Sequence, residues 1–168
     1  RVHGDEMMAG FTKTRKIMVA VDGGENSAYA LTWCLENMLS SRFDDTITLI
    51  FVQPDIHLHT STTGIAYFPN MLNDLKRHND EVSKSVIYKA KQICFEKAHG
   101  VKVEVIEEKG DPRDVISETA DRLCVDLLVM GSHGYGAFER IFLGSVSSHC
   151  AQTVKVPVLI VNKPKPVN

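Results

Sequence analysis

The chain has 168 residues, 43% hydrophobic and 24% charged, with a net charge of −2. That length carries one domain with a substantial core and is short for two. The balanced charge offers no basic field for nucleic acid or anionic lipid, and no apolar run is long enough to span a membrane, so neither nucleic acid nor membrane is expected as a partner.

Residues 1–14 hold no apolar stretch of signal-peptide length and are expected to be disordered, with 1–6 either an expression remnant or a natural start. Four cysteines, Cys34, Cys94, Cys124 and Cys150, form no Cys-x-x-Cys pair and fall in helical patterns. They read as buried reduced thiols, which suits a cytoplasmic or nuclear location.

From residue 15 to 162 the pattern is one α/β unit. "RKIMVAVDGG" (15–24) is a buried strand with its exit loop. The helix that follows places Ala28, Leu31, Leu35, Met38 and Leu39 on one stripe, with Asn26 or Ser27 as cap. "TITLIFVQ" (46–53) is a second strand stopped by Pro54. The polar connection 54–70 leaves it and is expected to act as a lid that orders with ligand.

A long helix over 71–99 carries Leu72, Leu75, Val82, Val86, Ala90 and Ile93 at helical spacing and stops at Gly100. "VKVEVIEE" (101–108) alternates as a third strand. Asp111 and Pro112 open the next helix, with Val115, Ile116, Thr119, Ala120 and Leu123 as its stripe. "DLLVMG" (126–131) is a fourth strand, 145–154 a last helix and "VPVLIVN" (156–162) a last strand. Residues 163–168 read as a flexible tail.

Strictly alternating strands and helices, with strands that are continuous apolar runs, require a parallel sheet covered on both faces. Right-handed crossovers restrict it to a doubly wound, Rossmann-like sheet, whose ligands bind outside the carboxyl ends of the strands. From that end of the fourth strand comes "VMGSHGYGAFERIFLGSVSSHC", with glycines at 131, 134, 136 and 144. As plain structure, Gly131 would end the strand, Gly134 and Gly136 would turn with positive φ, and Gly144 would permit close packing. As a ligand site, they would let backbone amides approach an anion at the start of the last helix, where Ser145 adds a hydroxyl. No Walker lysine and no Gly-x-Gly-x-x-Gly after the first strand is present.

The spacing Gly131-x2-Gly134-x9-Gly144-Ser145 resembles the nucleotide-binding signature of the universal stress protein family. "LLVMGSHG", "LGSVS", "VPVLIV", "MVAVDGG" and "GDP" extend the likeness from Lys16 to Val161, and it is most similar to plant members. The resemblance implies a five-stranded parallel sheet of order 3-2-1-4-5 binding ATP or AMP, with or without magnesium. It implies that Ala20, Val21 and Asp22 reach the nucleoside, that Val52 meets the adenine through its backbone, and that Met130 and Gly131 line the ribose. Gly134, Gly144, Ser145 and Val146 would hold the phosphates, with Ser132, His133 and Ser147 completing the set. Many members carry Ser or Thr just after the first-strand Asp, where this chain has Gly23 and Gly24.

The closing strand would lie at the sheet edge with no charge from 156 to 161, so a homodimer through that strand is expected. His133 could serve as a base or pack over a ligand. His57 and His59 make a poor metal pair, and Arg140 could meet phosphate or pair with Glu139. The functional reading is an adenine-nucleotide-binding protein of stress response or signalling. The alternative is a slow ATP hydrolase or nucleotidyl transferase on the same fold, against which stands the lack of paired carboxylates and of a nucleophile–base constellation.

Overall fold

The computed structural model describes residues 13–40, 43–54, 69–134 and 143–164. Its elements run β1 (Lys13–Ala20), α1 (Glu25–Asn37), β2 (Phe43–Gln53), α2 (Pro69–Lys97), β3 (Lys102–Lys109), α3 (Pro112–Arg122), β4 (Leu127–Gly131), α4 (Ser145–Thr153) and β5 (Val158–Val161). The strands form one parallel sheet, as the alternation requires, in the order β3-β2-β1-β4-β5 that the family resemblance implies. β1 begins at Lys13, inside the stretch expected to be irregular.

The period-two geometry of a strand explains the two cores. Ile17, Val19 and Val21 of β1 and its exit point to one face, where Leu31 and Cys34 of α1 and Val86, Ala90 and Cys94 of α2 cover them. Met18 and Ala20 point to the other, beneath Ile116 and Ala120 of α3 and Cys150 of α4. A fully buried Ile or Leu contributes about 1.5–3 kcal/mol, so this central strand anchors both layers. The chain winds outward from β1 through β2 to β3, then crosses to β4 on β1's other side. The carboxyl ends of β1 and β4 are therefore where crossovers diverge and the sheet opens.

Helix boundaries follow local chemistry, with corrections. Asp111 caps α3, its carboxylate accepting from the Arg113 amide at 2.9 Å, with Pro112 in the first turn. Bonding to the Arg113 side chain and amide pulls the Asp111 carboxyl down to about 2. Gly100, at φ +81, follows the end of α2. The cap of α1 is Gly24, not Asn26 or Ser27: the Ser27 hydroxyl turns back to Asp22 Oδ1 and the Gly24 carbonyl instead.

Cys124 is exposed and outside any helix. It sits at φ 48 just past α3, where its amide donates to the Asp121 carbonyl and the Val125 amide to the Ala120 carbonyl. That paired pattern is a Schellman ending, with Cys124 in the left-handed position glycine usually fills. The other three cysteines are buried, and burial pushes Cys34 up to about 12 and Cys94 up to about 11. Val82, expected in the core stripe of α2, is 42% exposed. Lys163, expected in the tail, pairs with Glu25 in the first turn of α1. Of the expected lid, 54–70, residues 55–68 with His57 and His59 lie outside the described residues, as do Gly136 and Arg140, while Pro69 and Asn70, expected in that connection, already open α2.

Candidate functional site

At the carboxyl ends of β1, β2 and β4 lies a cleft of about 580 Å³. Ala20, Val21, Asp22, Val52, Met130, Gly131, His133, Gly134, Gly144, Ser145, Val146 and Ser147 all line it. Of the thirteen residues assigned to nucleotide binding from the sequence, only Ser132 does not. It lies just beneath, 2% exposed.

One wall is the turn after β1. Asp22 Oδ1 accepts from the Gly24 amide at 2.9 Å and the Ser27 hydroxyl at 2.6 Å, and the Asp22 amide lies 3.3 Å from Ser27 Oγ. Gly23 must be glycine: its φ is +81, and a Cβ there would lie 2.8 Å from Val86. Ser27, in the first turn of α1, brings its hydroxyl to this Asp. Asp22 Oδ2 faces Gly134 across the cleft, 3.2 Å from where a Cβ on Gly134 would stand.

The opposite wall is the end of β4 and the start of α4. Gly131 is fixed by packing: a Cβ would lie 2.8 Å from the Asn26 backbone, so the strand end and the α1 helix start meet main chain to main chain. Neither Gly134 nor Gly144 takes a left-handed φ, contrary to the expectation for Gly134; Gly144 sits at φ −69, ψ 161. The Gly144 amide is already spent on the Ser132 carbonyl at 2.7 Å. Its own carbonyl accepts the first intrahelical bond, from the Ser148 amide at 2.9 Å.

As N-cap of α4, Gly144 offers no side chain to the helix start. The amides of Ser145, Val146 and Ser147 therefore have no acceptor within the helix. They carry the helix's positive end, about half a charge, into the cleft. The Ser147 hydroxyl turns inward, to the Ser132 and Gly144 carbonyls at 2.9 and 3.0 Å, whereas Ser145 is exposed. His133 Nδ1 is 3.0 Å from the Ser132 hydroxyl.

Sequence reasoning missed Ser27, Phe51, Pro54, Val82, Pro112 and Ile116, which also line the cleft. Pro112 lay in the quoted Gly-Asp-Pro. Val82 and Ile116 carry no local signal, because they reach the site only when α2 and α3 fold over the sheet, and Ser27, Phe51 and Pro54 join it from α1 and the end of β2. Among the described residues, no cluster of three metal-ligating side chains occurs, and no helix is long and apolar enough to cross a membrane.

A doubly wound parallel sheet with an open cleft at the carboxyl ends of its central strands is an α/β fold of the kind that places ligand sites at that switch point. The chain matches the universal stress protein family over residues 13–162, and it belongs to that family. The universal stress protein A-like protein of Arabidopsis thaliana is 30% identical over 161 residues, 88% of this chain and 90% of its own length. Universal stress protein YxiE of Bacillus subtilis is 32% identical over 148 residues, 87% and 97% of the two chains. Identity thus points to no one kingdom. Among solved structures, a universal stress protein family protein from Arabidopsis thaliana with AMP bound superposes at TM-score 0.65 and 28% identity, covering 89% of this chain and 92% of its own. The universal stress protein UspA of Lactobacillus plantarum shares the fold at TM-score 0.73 and 20% identity, covering 89% and 99%.

Proposed function

We propose that this protein binds an adenine nucleotide, ATP or AMP, in the cleft between β1 and β4. It would act in stress response or signalling through a nucleotide-dependent change in conformation or dimerisation. The observation that carries this reading is the start of α4, where three backbone amides without helical acceptors open into the cleft. The AMP-bound Arabidopsis relative supports the choice of nucleotide. Phosphate would rest on the amides of Ser145, Val146 and Ser147 and on the Ser145 hydroxyl. Asp22 would face the sugar rather than the phosphates, because like charges repel. The apolar Val52, Ile116 and Met130 would enclose the base. Asp22 is the only carboxylate lining the cleft among the described residues, so a magnesium ion would lean on the phosphates and water.

Mass spectrometry of small molecules released from purified, denatured protein, followed by calorimetric titration of AMP and ATP, tests the reading. Retention or micromolar binding of either supports it, and no heat at millimolar nucleotide refutes it.

The homodimer belongs to the same proposal. β5 is an edge strand, and "VLIV" carries no charge to discourage pairing. The carbonyls of Pro157 and Val161 accept from Leu128 and Ser132, so the alternation of a parallel strand turns the amides and carbonyls of Val158 and Ile160 outward. Ile160→Pro removes an outward donor that the sheet does not use. Sedimentation should show wild type as a dimer at tens of micromolar and Ile160→Pro shifted at least tenfold toward monomer. Three buried, unpaired thiols suit a reducing, cytoplasmic setting.

A further inference from the structure

Ser27 is buried in the first turn of α1, on the wall of the cleft that carries Asp22. Its hydroxyl holds Asp22 by side chain and main chain together. It donates to Asp22 Oδ1 at 2.6 Å, and the Asp22 amide reaches back to Ser27 Oγ at 3.3 Å. The Gly24 carbonyl also lies 3.0 Å from Ser27 Oγ, but the single hydroxyl proton has its shorter acceptor in Asp22. The Gly24 amide brings a second donor to Asp22 Oδ1 at 2.9 Å. Bonds to a charged acceptor are the strong ones, and two on one oxygen fix the rotation of the carboxylate. Oδ2 is thereby turned toward Gly134, 3.2 Å from where a Cβ on that residue would stand. The turn that delivers the hydroxyl is itself held. A Cβ on Gly131 would lie 3.0 Å from the Ser27 amide nitrogen, so α1 starts hard against the end of β4.

We propose that Ser27 is a positioning residue, which holds the Asp22 carboxylate in the orientation that accepts from the hydroxyls of a bound sugar. The cleft then prefers a ribonucleotide to the same nucleotide without those hydroxyls. The inference rests on the nucleotide reading of the cleft and adds to it the group that sets sugar selectivity. A vicinal diol offers two donors, and a carboxylate only accepts, so the two are complementary. A side chain that turns freely before binding loses rotamer freedom when the ligand orders it. With Ser27 in place, Asp22 is already ordered by the fold. A hydrogen bond to a charged group is worth about tenfold or more in an equilibrium constant, and an Asp22 released from Ser27 would give up part of that.

The experiment is calorimetric titration of the full chain with AMP and with its 2′,3′-dideoxy analogue, which keeps the base and the phosphate. Wild type should bind AMP about tenfold more tightly than the analogue. Ser27→Ala should weaken AMP about fivefold and leave the analogue within about twofold, so that most of the preference is lost. Ser27→Thr, which keeps the hydroxyl, should keep the preference. A serine that only supported the fold would weaken both ligands alike in Ser27→Ala, and that result would overturn the proposal. Equal affinity of wild type for AMP and analogue, an undiminished preference in Ser27→Ala, or its loss in Ser27→Thr would do the same. Each of those results leaves nucleotide binding standing, whereas a wild type that binds neither ligand removes the nucleotide reading itself.

Discussion

The two ends of the sheet treat their polar groups in opposite ways. At the amino end, Asp45 is 3% exposed and clasped in two parallel bonds by Arg15, at 2.9 Å each. The Ser40 amide adds a third bond at 3.3 Å, and Arg15 also reaches the Met38 carbonyl. Bonding to Asp45 holds the Arg15 guanidinium above its ordinary pKa. At the carboxyl end, the α4 amides open into a cleft with no capping side chain. One end closes on itself and supports the fold. The other leaves the three first-turn amides of α4 without a capping side chain, open to water or to a ligand.

Changes at each end should therefore separate stability from binding. The largest effect is expected from Asp45→Ala, which leaves Arg15 without its carboxylate under the sheet. Because the Arg15 side chain keeps 18% exposure, the loss should be about 3 kcal/mol rather than more. Urea denaturation would measure it, and AMP affinity of the folded fraction should stay unchanged. A loss below 1 kcal/mol would mean that this end is not the anchor described.

Gly144→Asp should do the reverse. The backbone at φ −69, ψ 161 accepts any residue, though a Cβ would press to 3.3 Å against the Ser132 carbonyl and His133 Cα. Asp is also a favoured N-cap, so its carboxylate would satisfy the helix amides itself and repel phosphate. Nucleotide affinity should fall by more than about 2 kcal/mol, over tenfold, while the thermal midpoint changes little. Equal affinity in wild type and variant would remove the α4 start from the site.

Ser145→Ala is the finest probe. Its hydroxyl is exposed at the first helical position, and the neighbouring amides remain when it is removed. A loss of about 1 kcal/mol in nucleotide affinity, roughly fivefold, is expected from calorimetry. A larger loss would shift the weight of recognition from backbone to side chain.

Periodicity and punctuation sufficed for the strands, the helices and a parallel sheet, while the strand order came from the family resemblance. Apolar runs such as Ile47–Val52, the Gly100 stop and the Asp111-Pro112 start are local events that any neighbouring residues would read the same way. The glycine spacing from Gly131 to Ser145 marked the loop for the same reason, since backbone conformation and close approach are written residue by residue. Some local features still misled. Ser27 looked like a cap because it precedes a helix, but its hydroxyl is claimed by Asp22 at 2.6 Å. Cys124 looked helical because its neighbours are, yet a Schellman ending placed it in a left-handed turn.

What tertiary structure decided is which groups are spent and which are left over. Sequence alone placed Gly144 beside a phosphate-ready helix, and only folding showed its amide bonded to Ser132, leaving the donors at Ser145, Val146 and Ser147. It also gave Gly131 its reason, main-chain contact with Asn26, more than a hundred positions away in the chain. Ser132 was named from the sequence for nucleotide binding, and only the pairing of β5 with β4 showed its hydroxyl 2.9 Å from Asn162 beneath the cleft. Spacing along a chain can specify the conformation of a loop, but a hydrogen bond has two partners, and distant partners meet only when crossovers bring their strands together.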